Sequence, residues 1–356
     1  MKLNILSTSP PRGLMSICYT GLLLSGWTVI CGLNAQVSAA EPAARPVVAS
    51  KFPALPESIT SFGAAISEGW LYVYGGNTGK THQYSSDLQS NRFRRLNLAQ
   101  PEAWEDLPGE AKLQGLALVT HRGKIYRVGG FTAKNPTGKK NDLWSVADVA
   151  RFDPATKMWE QLPALPAPRS SHDAVVLDNK IYVAGGWAMK GGGQSSEWHH
   201  TAVVLDLVQP TFAWKELPVP PFVRRAVSLA TQNGKVYVIG GMYESGETSS
   251  EVDYYDPATN AWQSAPDLPG KSIEGFGNSS FELGGHLFVS TIEGHVQRLD
   301  GDKWTLVSKL KHPRYFHRML PLSKDELLFV GGTARSGDRV NEIETIQVTA
   351  PTAKAQ

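Results

Sequence analysis

The chain has 356 residues, of which 41% are hydrophobic and 19% charged, with a formal net charge of +2. That length suits one large all-β domain or two average ones, and so even a charge balance excludes a globally basic surface of the kind nucleic acid or an anionic membrane attracts. Cys18 and Cys31 are the only cysteines and both lie in the first forty residues, so thiolate chemistry, cysteine-ligated metal and disulfides are excluded from everything downstream.

The first element is residues 1–40. Lys2 and Arg12 precede an apolar run from Leu14 to Leu33, and Val37-Ser38-Ala39-Ala40 closes the segment. Basic residues, an apolar stretch and small residues in that order predict a secretory signal peptide cleaved near Ala39 or Ala40. The run is also long enough to span a bilayer, so an uncleaved N-terminal anchor is the alternative. Ile30 before Cys31 argues against a lipid-modified cysteine. On either alternative the protein is exported, periplasmic or secreted, and the rest is a domain over 41–350 with a short tail at 351–356. Loss of residues 1–40 removes Lys2 and Arg12 and no acid, which brings the net charge to zero.

An internal repeat dominates the remainder of the chain. WLYVYGG begins at 70, KIYRVGG at 124, KIYVAGG at 180 and KVYVIGG at 235; a weaker copy, HLFVSTI, begins at 286, and ELLFVGG at 326. Each is a β-branched and aromatic run entered from a turn such as Asp178-Asn179 or Asn233-Gly234, the pattern of a strand leaving a tight hairpin. A second signature lies downstream of each glycine pair: Phe152-Asp153-Pro154 before Trp159, Tyr255-Asp256-Pro257 before Trp262, Leu205-Asp206 before Trp214, Leu299-Asp300 before Trp304 and Leu96-Asn97 before Trp104. The aspartates are turn formers, not catalytic acids.

A glycine pair, an aromatic-Asp-Pro turn and a tryptophan at this spacing resemble the kelch repeat over roughly residues 46–348. The resemblance implies an all-β, six-bladed β-propeller with four antiparallel strands per blade. Stacked sheets bury faces that one sheet leaves open, and the tryptophans fill the widening wedge between blades. The sixth repeat ends at Asn341–Val348, a third strand without a fourth. Lys51-Phe52-Pro53-Ala54-Leu55-Pro56 matches Gln161-Leu162-Pro163-Ala164-Leu165-Pro166, so the N-terminal segment is expected to supply the missing strand and close the ring. Thr291-Ile292 in place of a glycine pair marks blade five as the least regular.

The loops entering each first strand and leaving each second strand share one face. Aligning the repeats places Gln114, His172, Arg225, Phe276 and His317 at equivalent mouth positions, with Arg169, Arg224, Glu274, Arg314 and Arg318 close by. Arginine forks at a channel mouth point to an anionic ligand. Trp187 and Trp198, in an insertion with Gly191-Gly192-Gly193, suit stacking on a ring or gripping a peptide. His199-His200 are adjacent and would point to opposite strand faces, so no metal site is expected, nor any cofactor. Asn278-Ser279-Ser280 matches a glycosylation acceptor. The expected function is a module binding an extracellular or periplasmic protein, or an anionic glycan, with no nucleic-acid partner and no membrane contact beyond the N-terminal segment. The alternative rests on a distant resemblance to exported bacterial kelch propellers that act as sialic-acid epimerases or mutarotases. In that case Glu274 is the candidate acid–base, His172 or His317 would assist, and Arg225 or Arg314 would hold the carboxylate. The copper chemistry of galactose-oxidase-like kelch enzymes needs a cysteine that the domain lacks.

Overall fold

A computed structural model describes residues 51–348; the expected signal segment and C-terminal tail lie outside the described residues. Five four-stranded antiparallel sheets follow one another along the chain. Blade one comprises Gly63–Ser67, Trp70–Tyr74, Phe93–Asn97 and Trp104–Leu107, and blade two comprises Ala117–His121, Lys124–Val128, Val149–Asp153 and Met158–Leu162. Blade three is built from Asp173–Leu177, Lys180–Ala184, Val203–Asp206 and Trp214–Glu216. Blade four uses Ser228–Gln232, Lys235–Ile239, Val252–Asp256 and Ala261–Ala265. Blade five is Ser279–Leu283, His286–Ser290, His295–Asp300 and Lys303–Lys309, with a register shift between Val296 and Gln297. Blade six has three strands, Arg318–Pro321, Glu326–Val330 and Glu344–Gln347. Each blade's first strand packs beside the next, and that of blade six beside that of blade one, so six blades form a closed propeller. Among the described residues no helix is long and apolar enough to cross a membrane.

Local chemistry sets these elements. Glu68-Gly69, Arg122-Gly123, Asp178-Asn179, Asn233-Gly234 and Gly284-Gly285 supply successive positive-φ residues that turn the first strand into the second, the backbone of a two-residue hairpin. At the third turn, Asp153 and Asp256 accept the amides of Ala155 and Ala258 on Oδ1, both at 2.9 Å, as turn-forming aspartates do. Every tryptophan of the repeat then donates its indole N–H to a carbonyl of the preceding blade. Trp159 reaches Pro108, Trp214 Pro163, Trp262 Pro218 and Trp304 Pro266, at 2.7–2.9 Å.

The same latches close the ring. Trp104 donates to Ala54 at 3.0 Å, one residue beyond the proline its counterparts use. The Leu55 amide reaches Asn341 at 3.0 Å, as Leu165 reaches Ala147 and Leu268 reaches Ser250. Residues 51–56 thus sit where the outer strand of blade six leads out, with Phe52 and Leu55 buried, but they form no β-strand. Aligned on Leu55, the counterpart of Met158–Leu162 is 48–52, most of which lies outside the described residues.

Histidines 172 and 317 belong to this framework. They follow the tight turn entering blades three and six, where other blades place Phe62, Leu116, Val227 and Asn278. His172 lies on Gly129, as Val227 lies on Gly185 and Phe62 on Gly331; His317 Nε2 meets Ser290 Oγ at 3.1 Å. Both are 2–3% exposed, and burial, aided by Arg169 and Arg314 respectively, holds each imidazole well below its ordinary titration range. A proton therefore binds these groups in the unfolded chain, at about pH 6.5, before it binds them in the folded one. Their contribution to stability is full above that pH and falls as pH drops below it. The expected outcome is that His172→Leu, which installs the residue of blade two, flattens the loss of stability between about pH 6.5 and 5 seen by chemical denaturation.

Candidate functional site

Six turns meet around the axis. Ser61, Gly115, Ser171, Ala226, Gly277 and Phe316 all have φ between 51° and 61°. The Gly115 amide donates to Ser61, Ser171 to Gly115, Ala226 to Ser171, Phe316 to Gly277 and Ser61 to Phe316, at 2.7–3.3 Å. These five bonds form a backbone collar at the channel mouth. Beneath it Arg318 reaches across from blade six. Its guanidinium donates to Asp173 Oδ1 at 2.9 Å and to the carbonyls of Phe62 and Leu116 at 3.2 and 3.1 Å, while Asp173 Oδ2 accepts the Leu229 amide at 3.0 Å. One ion pair thus ties blades six, one, two, three and four. It separates an upper depression of about 60 Å³ from a lower channel of about 250 Å³ walled by first-strand residues such as Ile66, Val176 and Phe281.

The arginines the repeat alignment brings together divide into two groups. Arg169, Arg224 and Arg314 stand two residues before the collar and point into their own blades. Arg169 donates to the carbonyls of Gly185 and Thr201 and to the Thr201 hydroxyl. Arg224 bonds the Glu251 carbonyl and pairs with Asp253, and Arg314 bonds the Glu342 carbonyl and pairs with Glu344. All three are at most 2% exposed, and burial lowers Arg169 to about 10. Arg169 and Arg314 are therefore fixed inside blades, whereas His172 and His317, although buried, border the upper depression. Glu274 lies in a single helical turn, Ser272–Gly275, with Oε1 3.5 Å from His295 Nδ1, and it lines neither cavity. Asn278 is buried, with its amide donated to Gly275 and Ile239, so the folded protein does not offer that acceptor pattern to a glycosylating enzyme. Among the described residues no group of three or more potential ligands is placed to hold a metal; His199 instead bonds the Pro168 carbonyl at 2.9 Å.

Gln114 and Arg225 stand one residue before the collar, Gln114 buried and Arg225 half-buried, and neither they nor Trp187 line the upper depression. Two short ribbons, Phe131–Ala133 with Leu143–Ser145 and Trp187–Ala188 with Glu197–Trp198, raise a wall over blades two and three. Trp187 and Trp198 meet edge to face at 5.4 Å, and the Arg225 guanidinium lies 4.1 Å above the Trp187 ring, a cation–π contact. Sequence alone misses Arg339, whose guanidinium donates to the Gly79 carbonyl. It pairs with Thr333 at the strand exit, the place of Gln89 and Thr248 in other blades, so aligning exit loops as well as entry loops would have found it. Burial depresses both Arg225 and Arg339, and the ionisable groups bearing on them are tyrosines: Tyr84 on the first, Tyr315 and Tyr84 on the second. Among the described residues neither forms an ion pair with a carboxylate. The side-chain nitrogens Gln114 Nε2, Trp187 Nε1, Arg225 Nε and Arg339 Nε are all buried without an acceptor, and such groups need a partner.

The family model described as the KLHDC2/KLHL20/DRC7 Kelch-repeats domain matches residues 61–291. The chain belongs to the kelch-repeat family. Beta-scruin of Limulus polyphemus is 26% identical over 221 residues, which cover 60% of this chain and 22% of that protein. Human Kelch repeat and BTB domain-containing protein 13 is 31% identical over 190 residues, or 50% of this chain and 39% of the relative. The Danio rerio Kelch repeat and BTB domain-containing protein 12 is 25% identical over 278 residues, or 71% and 44%. The chain therefore spans less than half the length of these curated relatives. The solved structure of YjhT superposes with a TM-score of 0.68 at 16% identity, over 84% of this chain and 98% of that one; at that identity the likeness concerns the fold. Kelch domains generally bind proteins.

The two arginine groups should separate on mutation. Arg169→Gln leaves buried carbonyls unpaired and is expected to cost about 2–4 kcal/mol in urea unfolding, whereas Arg225→Gln should stay within about 1 kcal/mol.

Proposed function

We propose that this kelch propeller is an exported binding module that receives an anionic group of an extracellular or periplasmic protein, or of an acidic glycan, at its channel mouth. The observation that carries this reading is the pair Arg225 and Arg339, half-buried and without carboxylate partners, beside two further donors that lack acceptors. Desolvated guanidinium groups take up carboxylate or phosphate bidentately, and a bound anion would restore the charge balance that burial disturbs. Export rests on the apolar leader with small residues at 37–40. A binding role is favoured over sugar epimerisation because Glu274, the acid–base that sequence nominates, is buried with its Oε1 3.5 Å from His295 Nδ1.

Titration of the protein with a panel of acidic glycans and acidic peptides should give at least one saturable hit. Arg225→Gln with Arg339→Gln should weaken it roughly a hundredfold, and added salt should weaken it further. A hit that ignores both arginines would move the site elsewhere. Intact-mass analysis of the exported protein should find an N-terminus within a residue or two of Glu41; a full-length mass in the membrane fraction would establish the anchor instead.

A further inference from the structure

The collar imposes one backbone conformation six times, and the chain answers it with small residues five times: serine at 61 and 171, glycine at 115 and 277, alanine at 226. The sixth member is Phe316, at φ 52°. A bulky residue in the left-handed region is a rare and strained choice. The collar bonds do not call for it, since Ser61 and Ala226 make the same ones. Nor does the ring vanish into the core, because Phe316 is only half-buried and borders the upper depression. It lies flush on Gly277, where an added Cβ would come 2.9 Å from the ring. It also packs 4.9 Å from Tyr315 and 5.1 Å from Phe276, both half-buried.

These three rings stand beside the cationic wall. Tyr315 pairs through its backbone with Thr333, and Thr333 with Arg339. Tyr315 and Tyr84 both bear on Arg339, and Tyr84 in turn bears on Arg225. Half-buried rings at Phe316, Tyr315 and Phe276 thus stand at the collar, with Arg339, which forms no ion pair among the described residues, two backbone pairings from Tyr315.

We propose that Phe316, supported by Phe276 and Tyr315, is a specificity-determining platform that selects ligands carrying a ring with an apolar face next to their anionic group. The inference rests on the anion-binding mouth proposed above and names the ligand class: a cyclic carboxylic acid, or a chain ending in one, in preference to an open-chain acid. Ring faces gain from stacking on the platform, whereas an open-chain acid engages only the arginines.

The test compares cyclohexanecarboxylate and galacturonate with acetate and succinate as probes, by ligand-observed NMR on the full chain as the host processes it. The wild type should bind the cyclic acids roughly tenfold more tightly than the open-chain ones. Phe316→Gly should erase that preference, leave succinate affinity unchanged, and hold or raise the melting temperature, because glycine relieves the positive φ. Arg225→Gln, by contrast, should weaken both classes. Equal losses for cyclic and open-chain acids in Phe316→Gly, or a fall in melting temperature of several degrees with no change in preference, would make Phe316 a packing residue and overturn the platform alone. If the wild type binds none of the probes, the anion-binding mouth fails and the platform falls with it.

Discussion

Adjacent blades touch backbone to backbone where each second strand ends, and there is no room for a side chain between them. A Cβ on Gly75 would sit 2.4 Å from the Leu113 carbonyl oxygen, one on Gly129 2.5 Å from that of Arg169, and one on Gly240 2.2 Å from that of Gly275. Through the gap the second glycine of each pair donates its amide to the next blade: Gly76 to Leu113, Gly130 to Arg169, Gly186 to Arg224, Gly241 to Gly275 and Gly332 to Ile59. The last bond joins blade six to blade one, so the contact that spaces the blades also completes the circle. Blade five departs from the pattern with Thr291-Ile292; there Thr291 turns its amide to His295 in its own blade.

That spacing explains where the cationic side chains go. A residue two before the collar lies over the exiting carbonyls of its own blade, a concentration of acceptors that no water reaches. Arginine serves the purpose in blades three, four and six because five donors on a planar fork can reach several carbonyls at once. The charge is then balanced locally by Asp253 in blade four and by Glu344 in blade six. Blade three relies on neutral oxygens of Gly185 and Thr201 alone. Blades one, two and five place Ile59, Leu113 and Gly275 at that point, so the position tolerates quite different solutions.

Most of the architecture was legible in the sequence because the repeat is written in residues with narrow conformational meaning. The five glycine pairs, the two Asp-Pro turns and the five spaced tryptophans each report one local geometry, and the copies reinforce one another. Even the match of residues 51–56 to 161–166 located the closure. The mouth was harder to read. Entry-loop alignment errs by one or two residues, and around a tight turn that error decides whether a side chain faces the channel, the neighbouring blade or solvent. Arg169 and Arg314 turn into their own blades, His172 and His317 border the depression although buried, and Gln114 and Arg225 stand one residue before the collar without lining it. Arg339, Tyr84 and Phe316 carry no motif at all; their significance comes from what the fold leaves unpaired beside them.

Closure through Leu55 and Asn341 also dictates an order of events. The residues that complete the sixth blade are made first, and their partners are made last. Until Glu344–Gln347 emerges, the apolar side chains of Phe52 and Leu55 have no blade six to cover them, and the outer face of blade one lacks its neighbour. Five blades can stack as the chain appears, but the all-or-none gain of a sealed ring comes only with its final residues. A chain interrupted anywhere short of that point leaves two unpaired rims.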